Sequence, residues 1–369
     1  MIYKNLLLHN NIFEKLLDIA SNKKIQNSYI FNGQEGIGKE AHAIEFFATL
    51  NCNNDDTNCS GCTSCNKTKS LQHELLNIIL PLPKNKSITK KDSALKTLDK
   101  KQLDELTKEF HKKGQNPYYK IRLSNANTIL INSINDIKKS ISLSIPKNKY
   151  KLHLIFEADK LCHPRQEAGN ALLKILEEPP ENNFFILITS DISKILDTII
   201  SRSSIINFNN IEFKKHYDFL IQNNINENIA KIAPKISFGN INYSLKLSNN
   251  FKDIINILEE LIESLINSNL IKWEKVFNKI KEKNNIIELI TLLNIFLTDA
   301  YKYQNNEKNI YFNNLEKYLS ILSKEYCLDI EKFNKIINNT INNINLNGYM
   351  PLMTSGLYID LNKQLNNKF

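Results

Sequence analysis

The sequence predicts an α/β domain built on a parallel sheet with helices on both faces, followed by a part that contains helices only. Up to about residue 208 of the 369-residue chain, short and nearly continuous apolar runs alternate with helical patterns, as in strands that are covered on both faces. After about residue 209 the strand signals stop, and apolar residues recur at the i, i+3, i+4 spacing of a helix. We therefore expect an α/β domain over residues 1–208 and a helical remainder.

Each element follows from a local pattern. Five apolar runs are predicted as strands, at residues 28–31, 75–80, 151–156, 184–189 and 204–208. Between them, helical patterns cover residues 39–50, 127–142 and 166–178. The lysine-rich stretch 83–117 has few apolar residues, so it is predicted to be a surface insertion with one helix near residues 98–111.

The remainder divides into two helical parts. Short helices are expected at residues 212–222, 226–232 and 241–247, and an apolar stripe from Phe251 to Leu265 begins a longer helical region. These patterns predict a small helical domain at 209–248 and a helical bundle at 249–369, although no Pro/Gly linker marks the boundary between them.

The chain is basic, with 48 Lys and Arg against 39 Asp and Glu and a formal net charge of +9. Only three of the basic residues are arginines: Arg122, Arg165 and Arg202. Lysine cannot replace the planar guanidinium fork, so arginine is expected to persist where that geometry is needed. The excess of positive charge is a weak indication of a position near DNA phosphates.

The apolar runs also bear on location. No run approaches the roughly 20 apolar residues of a membrane span, and the first residues lack the apolar core and cleavage site of a signal peptide. We therefore expect a cytoplasmic protein with no membrane partner.

Four of the six cysteines fall in one short segment, with the spacing C-x6-C-x2-C-x2-C: Cys52, Cys59, Cys62 and Cys65. Four thiolates on short loops can close a tetrahedral Zn²⁺ site, and such a site is structural because no ligand position remains for water. A coincidental cluster and redox-active C-x-x-C pairs are the alternatives. We expect a zinc module over residues 52–65.

Residues 33–40 read Gly-Gln-Glu-Gly-Ile-Gly-Lys-Glu and join a predicted strand to a predicted helix, which is the context of a P-loop. Gly33, Gly36 and Gly38 would let backbone N–H groups surround a phosphate, and Lys39 would reach the outer phosphates. The next residue should be Ser or Thr, whose hydroxyl binds Mg²⁺, but it is Glu40. We expect the loop geometry without competent Mg·ATP binding.

A second nucleotide signal follows the strand at 151–156. Such a Walker B strand normally ends in a Mg²⁺-binding Asp followed by a catalytic Glu. Phe156 stands at the Asp position and Glu157 at the Glu position. Glu157 is either a plain strand-end carboxylate or keeps a residual catalytic role. Because Glu40 and Phe156 remove two ligands of one ion, they predict a degenerate ATPase site.

Two further segments complete the pattern. Residues 168–180 read AGNALLKILEEPP, and Ser201-Arg202-Ser203 precedes the last predicted strand. Together with the P-loop, the Walker-type strand and the cysteine cluster, they resemble the bacterial clamp-loader branch of the AAA+ family, and its delta-prime subunits most. The resemblance covers residues from about 27 to 247, and Ser203 stands where the family motif Ser-Arg-Cys has its cysteine.

The resemblance implies a non-hydrolysing AAA+ subunit in which Arg202, supported by Ser201, acts as an arginine finger on ATP held by a neighbouring subunit. It implies a lid at 209–248 and a collar at 249–369 that assembles with gamma/tau and delta subunits in a hetero-oligomer acting on the sliding clamp and primed DNA. A nucleotide-sensing arginine is expected soon after Gly239, but residues 239–244 contain none, and Asn242 lies nearest that position.

Two other functions stay open from the sequence. One is an active AAA+ motor of the gamma/tau type, which Glu40 and Phe156 disfavour and which ATP turnover by the purified chain would support. The other is a zinc-bearing nucleic-acid-binding module with a vestigial P-loop, which would bind DNA by itself with salt-dependent affinity.

Overall fold

The computed structural model describes residues 1–3, 6–7, 9–54, 59, 61–89, 91–162, 165–280, 282–308, 310–346 and 348–365. Its strands are β1 (Ser28–Asn32), β2 (Leu76–Ile79), β3 (Lys151–Ile155), β4 (Asn183–Thr189) and β5 (Ser204–Asn207). Its α-helices are α1 (Asn10–Ser21), α2 (Lys39–Asn51), α3 (Thr63–Lys69), α4 (Lys100–Gln115), α5 (Ile131–Ile141), α6 (Glu167–Glu177), α7 (Asp197–Ile200), α8 (Phe213–Gln222), α9 (Glu227–Ile236), α10 (Ile241–Ile266), α11 (Leu270–Asn278), α12 (Lys283–Gln304), α13 (Glu316–Glu325), α14 (Ile330–Asn345) and α15 (Met350–Leu365). Among these described helices, none combines the length and the apolar character that crossing a membrane requires.

The strands form one parallel sheet in the order β2-β3-β4-β1-β5. All five predicted strands are confirmed, with ends that shift by one residue at most. In the register of the sheet, Ile30 of β1 lies between Leu187 of β4 and Ile205 of β5. β4, in the middle of the sheet, is buried along its whole length, whereas the edge strand β5 alternates between half-buried and exposed residues.

The core of the α/β unit is packed from the sheet and from helices α5 and α6. Ile155 of β3 and Leu187 of β4 belong to one buried cluster with Ile134 of α5 and Leu172 of α6, and all four side chains are fully buried. The P-loop follows β1, and the Walker B-type residues follow β3. Because the carboxyl ends of parallel strands lie at the same edge of the sheet, this packing positions the two motifs close together.

The described chain forms two compact units. One contains Met1–Phe219 and Gly239–Tyr243, and the other contains Leu220–Phe238 and Ser244–Phe369. The helix predicted at 241–247 is the first part of α10, which continues without a break to Ile266. No helix end therefore marks the expected lid–collar boundary at residues 248–249.

Trp273, the single tryptophan of the chain, ties α11 to α15 within the helical unit. Its side chain is fully buried and contacts the rings of Phe277 and Tyr358. The indole Nε1–H donates to the carbonyl of Thr354 at 2.8 Å. A buried aromatic ring with a satisfied N–H contributes both apolar burial and orientation.

Trp273→Ala is expected to lower the free energy of unfolding of the helical unit by about 3–5 kcal/mol, because it leaves a cavity and an unpaired carbonyl. Urea denaturation followed by circular dichroism measures the change. Ile271→Ala, on the same helix, is the control: Ile271 is 68% exposed, so its loss is expected to stay within about 0.5 kcal/mol. Equal losses in the two variants would contradict the packing.

Candidate functional site

The P-loop segment joins the end of β1 to the start of α2, as the sequence predicts. Its three glycines have positive φ angles: 151° at Gly33, 76° at Gly36 and 98° at Gly38. Gly36 also lies against Asn240, because a Cβ at residue 36 would be 2.0 Å from Oδ1 of that side chain. Glycine at position 36 is therefore required by both conformation and space.

Lys39 begins α2 and is only 5% exposed. Its Nζ donates to the carbonyl oxygens of Gly33 and Gln34, each at 2.5 Å. Burial lowers the pKa of Lys39 to about 8, since desolvation disfavours the charged form. The lysine that a P-loop uses on the outer phosphates thus holds the backbone of its own loop.

Glu40 forms an ion pair with Lys113, which belongs to the insertion helix α4. The ammonium of Lys113 also donates to the carbonyl of Pro117 at 2.8 Å and lies 5.6 Å from the ring centroid of Phe156. Burial lowers the pKa of Lys113, and Glu40 opposes that shift. One cation of the insertion therefore contacts both residues that stand at the positions of Mg²⁺ ligands.

Glu157 follows the end of β3 and has a positive φ of 49°. Its carboxylate pairs with Lys160 at 3.0 Å and with Lys120 at 3.1 Å. Lys120 also pairs with Glu35 of the P-loop at 2.7 Å, and Arg122 reaches the same Glu35 at 3.0 Å. Burial opposes the charge of Lys120, but Glu35 and Glu157 outweigh it and raise the pKa of this lysine. The glutamate that could activate water is thus engaged by two lysines.

A cavity of about 70 Å³ remains at this edge of the sheet, lined by residues of the P-loop, the strand ends and the insertion. Pockets for small ligands usually measure about 300–1,000 Å³, so the side chains leave little enclosed space at the P-loop. Mg²⁺ needs oxygen ligands in octahedral geometry. Here the ring of Phe156 and the ion-paired carboxylate of Glu40 stand beside an ammonium. These residues do not fit a Mg²⁺ ion.

The segment after Gly239 lies against the P-loop. The backbone N–H of Ile241 donates to the carbonyl of Gly36 at 3.1 Å, and Oδ1 of Asn240 accepts from the N–H of Tyr243 at 3.0 Å. Asn242 lines the cavity. A neutral amide therefore stands where a nucleotide-sensing arginine is expected, and it cannot neutralise a phosphate.

The four clustered cysteines lie together, with all four sulfur atoms within 4.8 Å of one another. The Sγ atom of Cys52 is 4.0 Å from that of Cys62 and 3.7 Å from that of Cys65. These separations are close to the edge of about 3.8 Å in a tetrahedron with Zn–S bonds of about 2.3 Å. The N–H of Cys62 donates to Sγ of Cys59, and the N–H of Cys65 donates to Sγ of Cys62, each at 3.4 Å. The donor set fits a tetrahedral metal, because such N–H donors orient and stabilise thiolate ligands.

Arg202 lies in the turn between α7 and the edge strand β5, with 40% of its side chain exposed. Its Nη1 donates to the carbonyl of Thr198 at 3.0 Å, and its Nη2 lies 3.4 Å from a carboxylate oxygen of Glu177 at the end of α6. The hydroxyl of Ser201 donates to the same Thr198 carbonyl at 3.1 Å. An exposed ion pair of this kind contributes about 0–1 kcal/mol, so Arg202 can exchange Glu177 for another anion.

The sheet separates Arg202 from the P-loop of its own chain. Arg202 precedes β5, whereas the P-loop follows β1, and these two strands are parallel neighbours. The two sites therefore lie at opposite ends of a strand of five residues, which spans about 16 Å.

Sequence reasoning missed the cations that pair with the acidic residues of the site: Lys113, Lys120, Arg122 and Lys160. The helix expected near residues 98–111 is α4, whose residues are mostly exposed but which buries Leu106, Glu109 and Lys113 on one face. The available signal was the pair of replaced ligands, Glu40 and Phe156, because a carboxylate at a phosphate-binding loop requires a nearby cation. The lysine-rich composition of the insertion instead indicated a solvated segment.

Comparison with known proteins shows the family of the chain. A model of the family described as "DNA polymerase III, delta subunit" matches residues 8–212, more than half of the chain. The chain belongs to this family. The match covers the P-loop, the cysteine cluster and Arg202, and it confirms the resemblance to the clamp-loader subunits of DNA polymerase III.

Relatives within the same polymerase agree with the family. Subunit delta-prime of Bacillus subtilis is 24% identical over 244 residues, which are 66% of this chain and 60% of that protein. Subunit gamma of Buchnera aphidicola subsp. Acyrthosiphon pisum is 25% identical over 340 residues, 90% of this chain and 76% of that protein. Subunit delta-prime of Buchnera aphidicola subsp. Schizaphis graminum is 30% identical over 204 residues, 53% of this chain and 59% of that protein. The chain thus spans about three fifths of these two delta-prime relatives.

A solved structure can also be superposed. The gamma subunit-related protein of Thermotoga maritima aligns with 95% of this chain and with 99% of its own chain, at 15% identity and a TM-score of 0.43.

We expect the purified chain to hold one zinc ion, because the four sulfurs can close a tetrahedron around it. Elemental analysis after gel filtration measures the metal. Cys62→Ser is expected to lose the zinc and to melt at a lower temperature, since binding of a structural metal also stabilises the fold. Cys327→Ser, at an exposed free cysteine, is expected to keep the full zinc content. A wild-type chain without zinc, or with iron in its place, would contradict the prediction.

Proposed function

We propose that the chain is a non-hydrolysing, delta-prime-like subunit of the DNA polymerase III clamp loader, acting in DNA replication in the cytoplasm. The observation that carries the proposal is the pair Glu40 and Phe156, which contact one buried ammonium where Mg²⁺ ligands belong. ATP hydrolysis at a P-loop needs Mg²⁺ to bridge the β- and γ-phosphates and neutralise developing charge. A chain that lacks this ion at its own site acts as a stator rather than a motor.

In this proposal Arg202 is supplied in trans to ATP on a neighbouring subunit. A guanidinium stabilises the charge that spreads over the oxygens of the transferring phosphoryl group. The position of Arg202 supports this role, because it lies at the opposite end of the sheet from the chain's own P-loop and is partly exposed. Ser201 supports the turn through Thr198.

The remaining parts have structural roles in the same proposal. The four cysteines hold a zinc ion that fixes the segment between α2 and α3, since a closed thiolate site has no position for a reacting water. The helical collar at 249–369 assembles with gamma/tau and delta subunits, and the sliding clamp and primed DNA are reached through that hetero-oligomer. The lid at 209–248 joins the two parts.

Arg202→Ala is expected to reduce the DNA-stimulated ATPase of a loader reconstituted with gamma/tau and delta subunits. Hydrolysis at the one site that faces Arg202 should fall about 10³-fold or more, because an arginine finger is worth that much. Arg202→Lys should recover little, since an ammonium lacks the planar fork. Single-turnover hydrolysis and clamp loading measure the effect.

The matched control is Arg165→Ala, which removes another exposed arginine and should leave hydrolysis unchanged. Gel filtration establishes that each variant still assembles. Unchanged ATPase with Arg202→Ala in an intact complex would refute the role in trans. Mg²⁺-dependent ATP turnover by the purified wild-type chain would instead support the motor function that Glu40 and Phe156 disfavour.

A further inference from the structure

Lys113 is a fully buried cation. In the part of the chain that the structure describes, its ammonium contacts residues of the P-loop site and of the turn after α4. Its side chain is 1% exposed. An ammonium without compensation is costly to bury, but this one has the carboxylate of Glu40, the carbonyl of Pro117 at 2.8 Å and the ring of Phe156 at 5.6 Å. A carboxylate, a carbonyl and an aromatic face together satisfy the charge.

Two of these partners identify the place of the ammonium. Glu40 is the residue after the P-loop lysine, where a hydroxyl would bind Mg²⁺. Phe156 directly follows β3, where a carboxylate would bind the ion. In a P-loop site that hydrolyses ATP, the residues at these two positions bind the same Mg²⁺ ion. In this chain they converge on Lys113, which comes from an insertion 73 residues away from Glu40.

The segment after Lys113 supplies cations to the other two glutamates of the site, Glu35 and Glu157. Lys120 bridges Glu35 of the P-loop and Glu157 of the strand end, and Arg122 adds a second contact to Glu35. The ring of Tyr118 covers the loop, because its Cε1 atom would lie 3.3 Å from a Cβ at Gly38. Residues 113–122 therefore add Lys113, Pro117, Tyr118 and Lys120 to the wall of the cavity.

Helix α4 also approaches the end of α3, the helix that carries Cys65. A Cβ at Gly114 would lie 2.8 Å from the carbonyl oxygen of Lys69, the last residue of α3. Helix α3 carries Cys65, so the backbone next to Lys113 rests on the end of a cysteine-bearing helix. The contact leaves no room for a side chain at residue 114, next to Lys113.

We propose that Lys113 is a built-in replacement for Mg²⁺: its ammonium occupies the cation position, and residues 113–122 close the P-loop to Mg-nucleotide. This inference deepens the proposed function, on which it rests, by naming the residue that keeps the site out of the ATP cycle. Lys113 is a positioning residue in this role, because it acts through Glu40 and the loop.

The first test is a double-mutant cycle on the full chain. Lys113→Met keeps the unbranched stem and removes the charge, and Glu40→Gln removes the opposite charge. Each single variant leaves one charge unpaired and is expected to lower the melting temperature by about 5–10 °C. The loss of melting temperature in the double variant should be clearly smaller than the sum of the losses in the two single variants. Lys108→Met, at an exposed lysine of the same helix, is the control and should melt like the wild type.

The second test restores the Mg²⁺ ligands with and without the ammonium. The triple variant Glu40→Thr, Phe156→Asp, Lys113→Met is expected to gain a rise in melting temperature that requires both Mg²⁺ and ADP. The matched variant Glu40→Thr, Phe156→Asp keeps Lys113 and should show no such rise, because the ammonium still repels the ion. A structural role for Lys113 alone would not produce this difference.

Additive losses in the cycle, or equal responses of the two ligand-restored variants to Mg·ADP, would overturn the inference. If a single variant does not fold, recovery of folded protein in the double variant supports the pairing. A double variant that also does not fold overturns it. These outcomes are separate from failure of the proposed function, which is read from ATP turnover by the wild-type chain and from Arg202→Ala in the assembly.

Discussion

The buried ion pair between Glu40 and Lys113 is the interaction on which the nucleotide site depends. Taken alone, a carboxylate directly after the P-loop lysine would repel phosphate and would be unfavourable in a half-buried position. Opposite a fully buried ammonium, the same carboxylate is neutralised. The aromatic ring of Phe156 fits this arrangement, because it faces a cation rather than coordinating one. Glu40 and Phe156, which stand at two positions of Mg²⁺ ligands, therefore both interact with the same ammonium of helix α4.

The two ends of the sheet differ in charge and exposure. At the carboxyl end of β1, the chain's own charges occupy the P-loop site and leave a cavity of about 70 Å³. At the amino end of β5, Arg202 is partly exposed, and its side chain contacts the carbonyl of Thr198 and the carboxylate of Glu177. The chain belongs to the family described as DNA polymerase III, delta subunit, and a place in a clamp loader is our proposal.

Most of the fold could be predicted from the sequence, because strands, glycine turns and cysteine spacing are local signals. The strand–loop–helix at Gly33–Lys39 and the convergence of Cys52 to Cys65 needed no knowledge of distant contacts. The role of Lys113 could not be predicted, because its partner Glu40 is 73 residues away and a lysine-rich stretch is usually solvated. The continuity of α10 past residue 248 follows from the same absence of Pro and Gly that left the boundary unmarked.

Calorimetric titration of the wild-type chain with Mg·ATPγS tests the central claim most directly, because it asks whether the site accepts the ion and the nucleotide that its sequence motif suggests. A protein cation in the place of Mg²⁺ predicts no saturable heat at any concentration of the ligand that the titration reaches. Saturable binding to a single site that disappears when Mg²⁺ is chelated would contradict the account.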